Sequence, residues 1–356
     1  MGGPVSVLSV HGDGPGNNAV IARELVKDYT VPVPGGSRSL ADRFRNTFFP
    51  RRTTKRALDA INLVVPRGQV VGFVGPNGAG KTTTVKILCG ILTPTSGQVE
   101  VLGFDPQRDR YRYTYHIGLV FGQRSLLWYD IPVIESLRLY ADIYEIGQDA
   151  LKKRIDRFSE LLDIGELLHI PVRKLSLGQR MRAEIAASLL HDPEILFLDE
   201  PTLGLDATAK ERIRGFLRHL NREQGTTIFL TTHDMNDIEA LCERIVIIDK
   251  GAIIYDGPVE SLRAVDREKI IEVRLRRGEV ESEERTCVLS LLEEYADETA
   301  SSDPAWFRLR VPQDRSLEVV SELLLHDAVQ DLNIQPPTLD SVIRRIYEGS
   351  LVANGS

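Results

Sequence analysis

The feature that most constrains this chain is the stretch GPNGAGKTT at Gly75–Thr83. It satisfies the pattern G-x-x-x-x-G-K-[ST], directly after an apolar run and before a helical pattern. Glycines at these positions let the backbone wrap around phosphate groups, so that its N–H groups converge on them. In such a loop Lys81 reaches the β- and γ-phosphates, and Thr82 offers its hydroxyl to Mg²⁺. The predicted nucleotide-binding residues are Gly75, Pro76, Asn77, Gly78, Ala79, Gly80, Lys81, Thr82 and Thr83.

Four apolar runs predict the sheet that carries this loop. They are Gln69–Gly75, Glu194–Glu200, Thr226–His233 and Arg244–Asp249. Because these runs are apolar throughout instead of alternating, they are typical of strands buried on both faces of a mainly parallel sheet. Helical stretches separate the runs, including a long helical insertion at about Val133–Ile164. The predicted fold class is therefore α/β.

Polar residues at the carboxyl ends of these strands are expected to surround one crevice, where ligands of open α/β sheets bind. Asp199, at the end of its run, is predicted to hold Mg²⁺, mostly through the water shell of the ion. Glu200 follows directly and can accept a proton from an attacking water or orient it. His233 ends the next run along the chain. An acidic pair after a strand is also common at helix N-termini, but next to a phosphate loop the functional interpretation is favoured.

A second anion-binding feature lies in the stretch KLSLGQR, which begins at Lys174. Ser176 and Gln179 stand in the S-x-x-Q relation of a capping box, which predicts a helix that starts at Ser176. The exposed backbone N–H groups of such a helix end attract anions. One chain thus carries two phosphate-attracting features at separate places in its sequence.

Length and composition allow two domains. The chain has 356 residues, 42% of them apolar and 27% charged, and its formal net charge of -7 does not favour general binding to nucleic acid. Cys89, Cys242 and Cys287 have no metal-like spacing and indicate reduced packing residues. No apolar run approaches the roughly 18–20 residues that span a bilayer, and the N-terminus does not look like a signal peptide. The predicted organisation is a flexible tail at 1–18, a main domain at 19–264 with a basic insert at 31–56 and a helical subdomain at about 124–190, an accessory α/β domain at 265–349 and a tail at 350–356.

Two further segments have less specific patterns. Arg38–Arg56 has seven basic residues and one acid, with Leu40, Phe44, Phe48 and Phe49 near helical spacing. It is either a solvated loop with a short amphipathic helix or a helix that lies near anionic lipid or a membrane partner. After Pro258, strand-like and helix-like patterns alternate, which predicts a small separate α/β domain. That domain has no titratable cluster, so a packing or regulatory role is favoured.

The order of the motifs carries a resemblance that a lone phosphate loop would not. The phosphate loop, the glutamine of VFGQRS, LSLGQR, LFLDEP, GLDA and TTHDM follow one another in the order and spacing of ABC-type ATPases. Over roughly Val20–Leu262 the chain resembles the ATP-binding subunit of an ABC transporter. The resemblance implies a P-loop NTPase fold of ABC type, with an antiparallel β subdomain and a helical signature subdomain. It also implies ATP and Mg²⁺ as cofactors.

The resemblance gives the second anion feature a partner. In that family the signature helix of one subunit faces the ATP held by another, so Ser176, Gly178 and Gln179 would bind a γ-phosphate across a head-to-tail dimer. Leu177 departs from the family pattern, which usually has glycine at this position. Because the flanking residues remain, we expect the phosphate contact to survive.

Further roles carry over by the same resemblance. Gln123 resembles the loop glutamine that senses Mg²⁺ and water, and His233 resembles the switch histidine that contacts the γ-phosphate. Asp206 matches a loop that touches the opposite subunit, and Tyr29 matches an aromatic that stacks on adenine, although it could be an ordinary strand tyrosine. Since Glu200 and His233 are both present, two identical copies could form two active sites, and a homodimer is favoured over a heterodimer.

The phosphate-loop region and the tail QPPTLDSVIRRIYEG are similar to ABC-2-type exporters. This implies separate membrane permease subunits and a peripheral location at the cytoplasmic side of a bacterial plasma (inner) membrane. The stretch Ser125–Ile134 is either the segment that grips a permease or an internal hydrophobic cluster. An importer ATPase shares the same core and stays open as an alternative. A soluble ABC ATPase acting on nucleic acid or ribosomes is disfavoured, because the chain has one cassette and lacks zinc-type cysteines.

Overall fold

The computed structural model describes residues 16–32, 52–122, 125–265, 268–276 and 306–349, together with residues 288, 292, 294 and 295. The expectations for Gln123, Cys287 and most of the basic insert fall outside these residues. The chain divides into two compact units, with the boundary between Val259 and Glu260.

The elements of the first unit, in chain order, are β1 (Asn18–Pro32), β2 (Arg52–Pro66), β3 (Val70–Val74), α1 (Lys81–Leu88), β4 (Ser96–Val101), α2 (Arg110–Tyr113), β5 (Ile117–Phe121), α3 (Val133–Ile143), α4 (Gln148–Leu162), α5 (Leu177–Ser188), β6 (Ile195–Asp199), α6 (Ala207–Gln224), β7 (Thr227–Thr231), α7 (Met235–Leu241), β8 (Arg244–Asp249) and β9 (Ala252–Pro258). Helix α8 (Val259–Val265) begins at the boundary.

A six-stranded sheet with the order β5–β6–β7–β3–β8–β9 forms the centre of this unit. Its neighbouring strands are parallel except for the antiparallel pair β8–β9. Every residue of β6 and β7 is buried, which confirms the expectation from their unbroken apolar runs. The rings of Phe73 and Phe197 lie 5.3 and 5.7 Å from that of Phe229, so adjacent strands pack through aromatic contacts. The loops after β3, β6 and β7 consequently leave the same edge of the sheet.

A second, antiparallel sheet has the order β2–β1–β4. The sequence pattern also predicts strands at Val20–Tyr29 and Ala57–Gln69. Strand β1 extends past both ends of the first of these ranges, and β2 starts before the second range and ends before it does. The pairs Val31↔Thr53 and Pro32↔Arg52 extend the ladder into both ends of the predicted insert, because each strand supplies the other's backbone partners there. Strand β2 ends at Pro66.

The predicted helical insertion consists of helices separated by turns. Helix α4 buries Leu151, Ile155, Phe158 and Leu162, one stripe at helical spacing. The helix ends at Leu162, and the next residue, its C-cap Asp163, has a left-handed φ of 53°. Helix α5 follows after two short 3₁₀ turns at Gly165–Leu167 and Val172–Lys174 and contacts α3, α4 and α6.

The second unit contains β10 (Glu268–Leu275), β11 (Trp306–Pro312), α9 (Ser316–Leu324), β12 (Val329–Gln335) and α10 (Leu339–Tyr347). Its antiparallel sheet has the order β11–β10–β12. One face supplies Ile271, Val273 and Leu309 to a core of its own. Outside that core, the guanidinium of Arg274 lies 5.6 Å from the centre of the Trp306 ring. The alternation of strand and helix expected after Pro258 is therefore present in the described residues.

Candidate nucleotide-binding site

The phosphate loop fills the gap between β3 and α1, where two of its glycines have little space. A Cβ on Gly75 would lie 2.4 Å from the carbonyl oxygen of Ile248. Gly80 has φ +121°, and a Cβ there would lie 2.7 Å from Leu58 Cδ2 and 2.9 Å from Ala57 O. The loop can turn this tightly because its glycines tolerate both the close contacts and the positive φ.

Lys81, the first residue of α1, is 7% exposed, and its ammonium is held by the loop itself. Nζ donates to Gly75 O at 2.6 Å and to Pro76 O at 3.3 Å. Burial lowers the pKa of Lys81, while the carboxylates of Glu200 and Asp199 act in the opposite direction. The charge is thus placed inside the loop, next to the strand ends that carry the acids.

Three oxygen-bearing side chains meet beside the loop. Thr82 Oγ1 donates to Asp199 Oδ2 at 3.2 Å, and Thr231 Oγ1 donates to the other oxygen of the same carboxylate. Asp199 is 9% exposed, so these bonds fix the direction of its carboxylate. A hydroxyl and a carboxylate oxygen are the hard ligands that Mg²⁺ prefers, and therefore Thr82 and Asp199 fit such an ion.

Glu200 and His233, which follow the carboxyl ends of β6 and β7, form a hydrogen-bonded pair. Nδ1 of His233 donates to Oε2 of Glu200 at 2.7 Å, because a carboxylate can only accept. Glu200 has φ +56°, an uncommon conformation for a residue with a side chain, and its N–H donates to Thr231 O at 2.9 Å. The backbone therefore turns the Glu200 side chain out of the strand and against the histidine.

These groups line one cleft of ≈ 770 Å³. The residues expected at the site that line it are Gly75, Pro76, Asn77, Gly78, Gly80, Lys81, Thr82, Thr83, Asp199, Glu200 and His233. Ala79 is buried, and its N–H donates to Pro76 O to close the loop. Tyr29 lies on β1 opposite Lys55, is 36% exposed and is not one of the residues that line the cleft. Its predicted contact with adenine stays a prediction.

The second anion feature has the local structure that its sequence predicts. Ser176 is the N-cap of α5: its Oγ accepts from Gln179 N at 3.2 Å, and its N–H donates to Gln179 Oε1 at 2.8 Å. The amide oxygen of Gln179 is therefore already used within the capping box. Gly178 is close to α6, since a Cβ there would lie 3.1 Å from Ala209 Cβ. Ser176 and Gly178 are not among the residues that line the cleft, so the two phosphate-attracting features lie at different places on one subunit.

Asp206 has a structural role in the same region. It is the N-cap of α6, and its Oδ1 accepts from Ala209 N at 2.8 Å. The GLDA stretch thus ends the loop that starts at Glu200 and begins the next helix.

A glutamate that the sequence analysis did not single out connects α5 to the segment after residue 124. Glu184 is 3% exposed, and its Oε2 accepts from Leu126 N at 2.9 Å. Tyr140 of α3 donates from its hydroxyl to Leu126 O at 2.9 Å, and its ring lies 5.5 Å from that of Trp128. The sequence signal for Glu184 is a lone acid within the otherwise apolar stretch that ends α5.

Comparison with known proteins agrees with this geometry. The sequence model described as "ABC transporter" matches residues 58–203. The chain is 34% identical to the ABC transporter ATP-binding protein NatA of Bacillus subtilis, over 65% of this chain and 95% of that protein. It is 35% identical to the daunorubicin resistance ATP-binding protein DrrA3 of Streptomyces coeruleorubidus, over 81% of this chain and 90% of that protein.

Two solved structures give the same outcome. CbiO1 of Clostridium perfringens, described as part of the ABC transporter complex cbiONQ, is 27% identical with a TM-score of 0.55, over 70% of this chain and 95% of that one. The ATP-binding cassette MJ0796, described as dimeric and bound to ADP and Pi after hydrolysis, is 26% identical with a TM-score of 0.56, over 67% of this chain and 98% of that one.

Proposed function

The chain belongs to the ABC transporter ATP-binding proteins and is an ABC ATPase, and from this premise we propose that two copies close head to tail around two ATP molecules to drive export through separate membrane permeases. The observation that carries the proposal is the separation of the phosphate cradle from the capped helix end at Ser176. A helix end whose N–H groups attract anions has a use if a second copy presents a phosphate to it. The related cassette MJ0796 is described as dimeric, which supports the pairing of two copies.

In the proposed hydrolysis step Glu200 orients the water that attacks the γ-phosphorus of ATP and accepts its proton, while His233 holds the Glu200 carboxylate in position. The bond from the γ-phosphorus to the bridging oxygen breaks, and ADP leaves. Lys81 exchanges its bonds with the loop carbonyls for bonds with the β- and γ-phosphates. Thr82 and Asp199 would hold Mg²⁺, which neutralises charge on the phosphate oxygens when it is bound. Gln123 would complete this set.

The proposal of export follows from the names of two relatives. The daunorubicin resistance protein DrrA3 covers most of this chain, and the bacitracin transport ATP-binding protein BcrA of Bacillus licheniformis is 34% identical over 62% of it. In the described residues no helix combines the length and the hydropathy needed to span a membrane. We propose that the protein binds to the cytoplasmic face of the plasma membrane through its permease partners.

The segment Ser125–Ile134 is the proposed contact with a permease. Trp128 and Tyr129 are 43% and 59% exposed, which favours a docking surface over an internal cluster. Glu184 and Tyr140 hold the backbone of Leu126 from α5 and α3. A displacement of this segment by a bound permease would therefore be transmitted to α5, the signature helix, through the hydrogen bond between Leu126 and Glu184.

Replacing Glu200 with Gln tests the enzymatic part. The amide cannot accept the proton of water, so kcat should fall by about 10²–10⁴-fold while ATP still binds and traps a dimer. Glu100→Gln, an exposed glutamate on β4, is the matched control and should keep normal turnover. Rapid hydrolysis by Glu200→Gln would show that Glu200 is not the base, and a monomeric variant with ATP bound would contradict the head-to-tail pair.

Membrane binding tests the transport part. The protein should sediment with native membranes and copurify with a permease, and the double variant Trp128→Ala/Tyr129→Ala should lose both while its ATPase activity persists. Tyr111→Ala, which removes a 77% exposed aromatic elsewhere on the same unit, is the control. If the double variant copurifies normally, this segment is not the docking site.

A further inference from the structure

Leu177, the first residue of α5, contacts the loop that follows the proposed catalytic base. A Cβ added to Gly204 would lie 3.1 Å from Leu177 Cδ2, so the leucine side chain covers this glycine. Leu177 is 40% exposed, which means that more than half of its surface lies against the same subunit. An apolar side chain cannot bind phosphate, and this contact gives it another role.

The covered loop joins Glu200 to the N-cap of α6. Leu203 N donates to Glu200 O at 3.3 Å and Leu205 N donates to Thr202 O at 3.2 Å, so consecutive turns link its residues. Leu203 lines the cleft. A displacement of Gly204 would therefore reach Glu200 through a short, hydrogen-bonded path.

Helix α5 is also joined to α6, the helix that follows this loop, through Asp163. Arg182 donates to Leu162 O at 2.7 Å and to the Asp163 carboxylate at 3.0 Å, and Arg212 of α6 pairs with that carboxylate. Gly178 lies against Ala209 one turn before. Helix α5 is thus fixed to α6 along its side, while Leu177 provides a contact at its tip, directly beside Ser176.

We propose that Leu177 is a positioning residue, which couples the phosphate-binding end of α5 to the Glu200 loop of its own subunit. This inference rests on the proposed head-to-tail pair. When the phosphate held by a second copy reaches the helix tip, the leucine keeps Gly204 in place and thereby sets the direction of Glu200. The side chain acts on hydrolysis within its own subunit and not on the strength of the dimer.

The test compares Leu177→Ala with Leu177→Met. Alanine removes the contact with Gly204 but keeps a good helix former, and methionine keeps a long apolar side chain. We expect Leu177→Ala to lower kcat about tenfold, because a small misplacement of a catalytic group has effects of this size or larger. Leu177→Ala should change KM for ATP by less than about twofold. In the Glu200→Gln background, it should also change by less than about twofold the ATP concentration at which half of the protein is dimeric. Leu177→Met should recover most of kcat.

The control is Leu139→Ala on α3, because Leu139 has nearly the same exposure, 41%, and should leave kcat unchanged. The inference fails if Leu177→Ala keeps normal kcat. It also fails if kcat and dimer trapping fall by the same factor, since Leu177 would then act at the interface. If Glu200→Gln with Leu177 intact fails to form a dimer, the proposed function is overturned instead, so the two failures can be told apart.

Discussion

Glu184 allows a quantitative test of how α5 holds the segment after residue 124. Its carboxylate is almost fully buried and accepts the Leu126 N–H at 2.9 Å. In Glu184→Ala this donor loses its partner in a partly buried site, which costs about 1–3 kcal/mol of unfolding free energy. For a unit of this size, a loss of about 2 kcal/mol lowers Tm by roughly 4–8 °C.

Glu184→Gln keeps an acceptor of the same shape and removes the charge. Burial, the largest cause, raises the pKa of Glu184 above its ordinary value. A carboxyl with a raised folded pKa stabilises the fold fully below its unfolded pKa, at about pH 4, and this contribution is lost as the pH rises through the folded pKa. The stability of the original protein relative to Glu184→Gln should therefore decrease between acidic and neutral pH.

Thermal unfolding followed by circular dichroism across this pH range is the assay. Glu160→Gln, an exposed glutamate on α4, is the control and should change the unfolding free energy by less than about 0.5 kcal/mol. An unchanged Tm for Glu184→Ala would refute the role of the Leu126 bond. A stability difference between the original protein and Glu184→Gln that does not vary with pH would refute the assignment of a buried, charge-disfavouring site.

Two further predictions concern the phosphate loop and α5. Gly80→Ala should lower the unfolding free energy by about 2–4 kcal/mol, because overpacking and the positive φ act together. Gly78→Ala should lower it by less, because a Cβ there would meet no atom within 4 Å. Urea unfolding measures both losses, and equal losses would contradict the steric argument. Asp163→Asn should cost about 0.5–1 kcal/mol at neutral pH, since the exposed Asp163 loses its pairing with Arg182 and Arg212. The hydrogen bond from Arg182 is the largest of the effects that lower the pKa of Asp163, so this stabilisation is present above the unfolded pKa and disappears as the pH falls through the folded one; a difference that persists in strong acid would contradict it.

The sequence predicts those parts of the structure that depend on neighbouring residues. The capping box at Ser176 and the phosphate loop are local patterns, and unbroken apolar runs mark the buried strands. The extension of β1 past Tyr29 was missed because its strand character comes from pairing with β2 and not from its own pattern.

Contacts between distant residues escaped prediction for the same reason. Glu184 and Leu126 are 58 residues apart in the chain, and nothing in either stretch identifies the other. Leu177 appeared in the sequence as a departure from a familiar pattern, but its contact with Gly204 depends on how α5 packs. The hydrogen bond between Glu200 and His233 forms because the ends of β6 and β7 are adjacent, and the parallel pairing of these two strands makes them so.

The position of the tryptophans offers an optical method for following the protein at work. The chain has two, Trp128 beside Tyr140 in the first unit and Trp306 beneath Arg274 in the second. Replacing Trp306 with Phe would leave Trp128 as the single indole fluorophore, on the exposed segment that Glu184 anchors. Its emission would then report each encounter of that surface with another molecule in real time, without an attached dye.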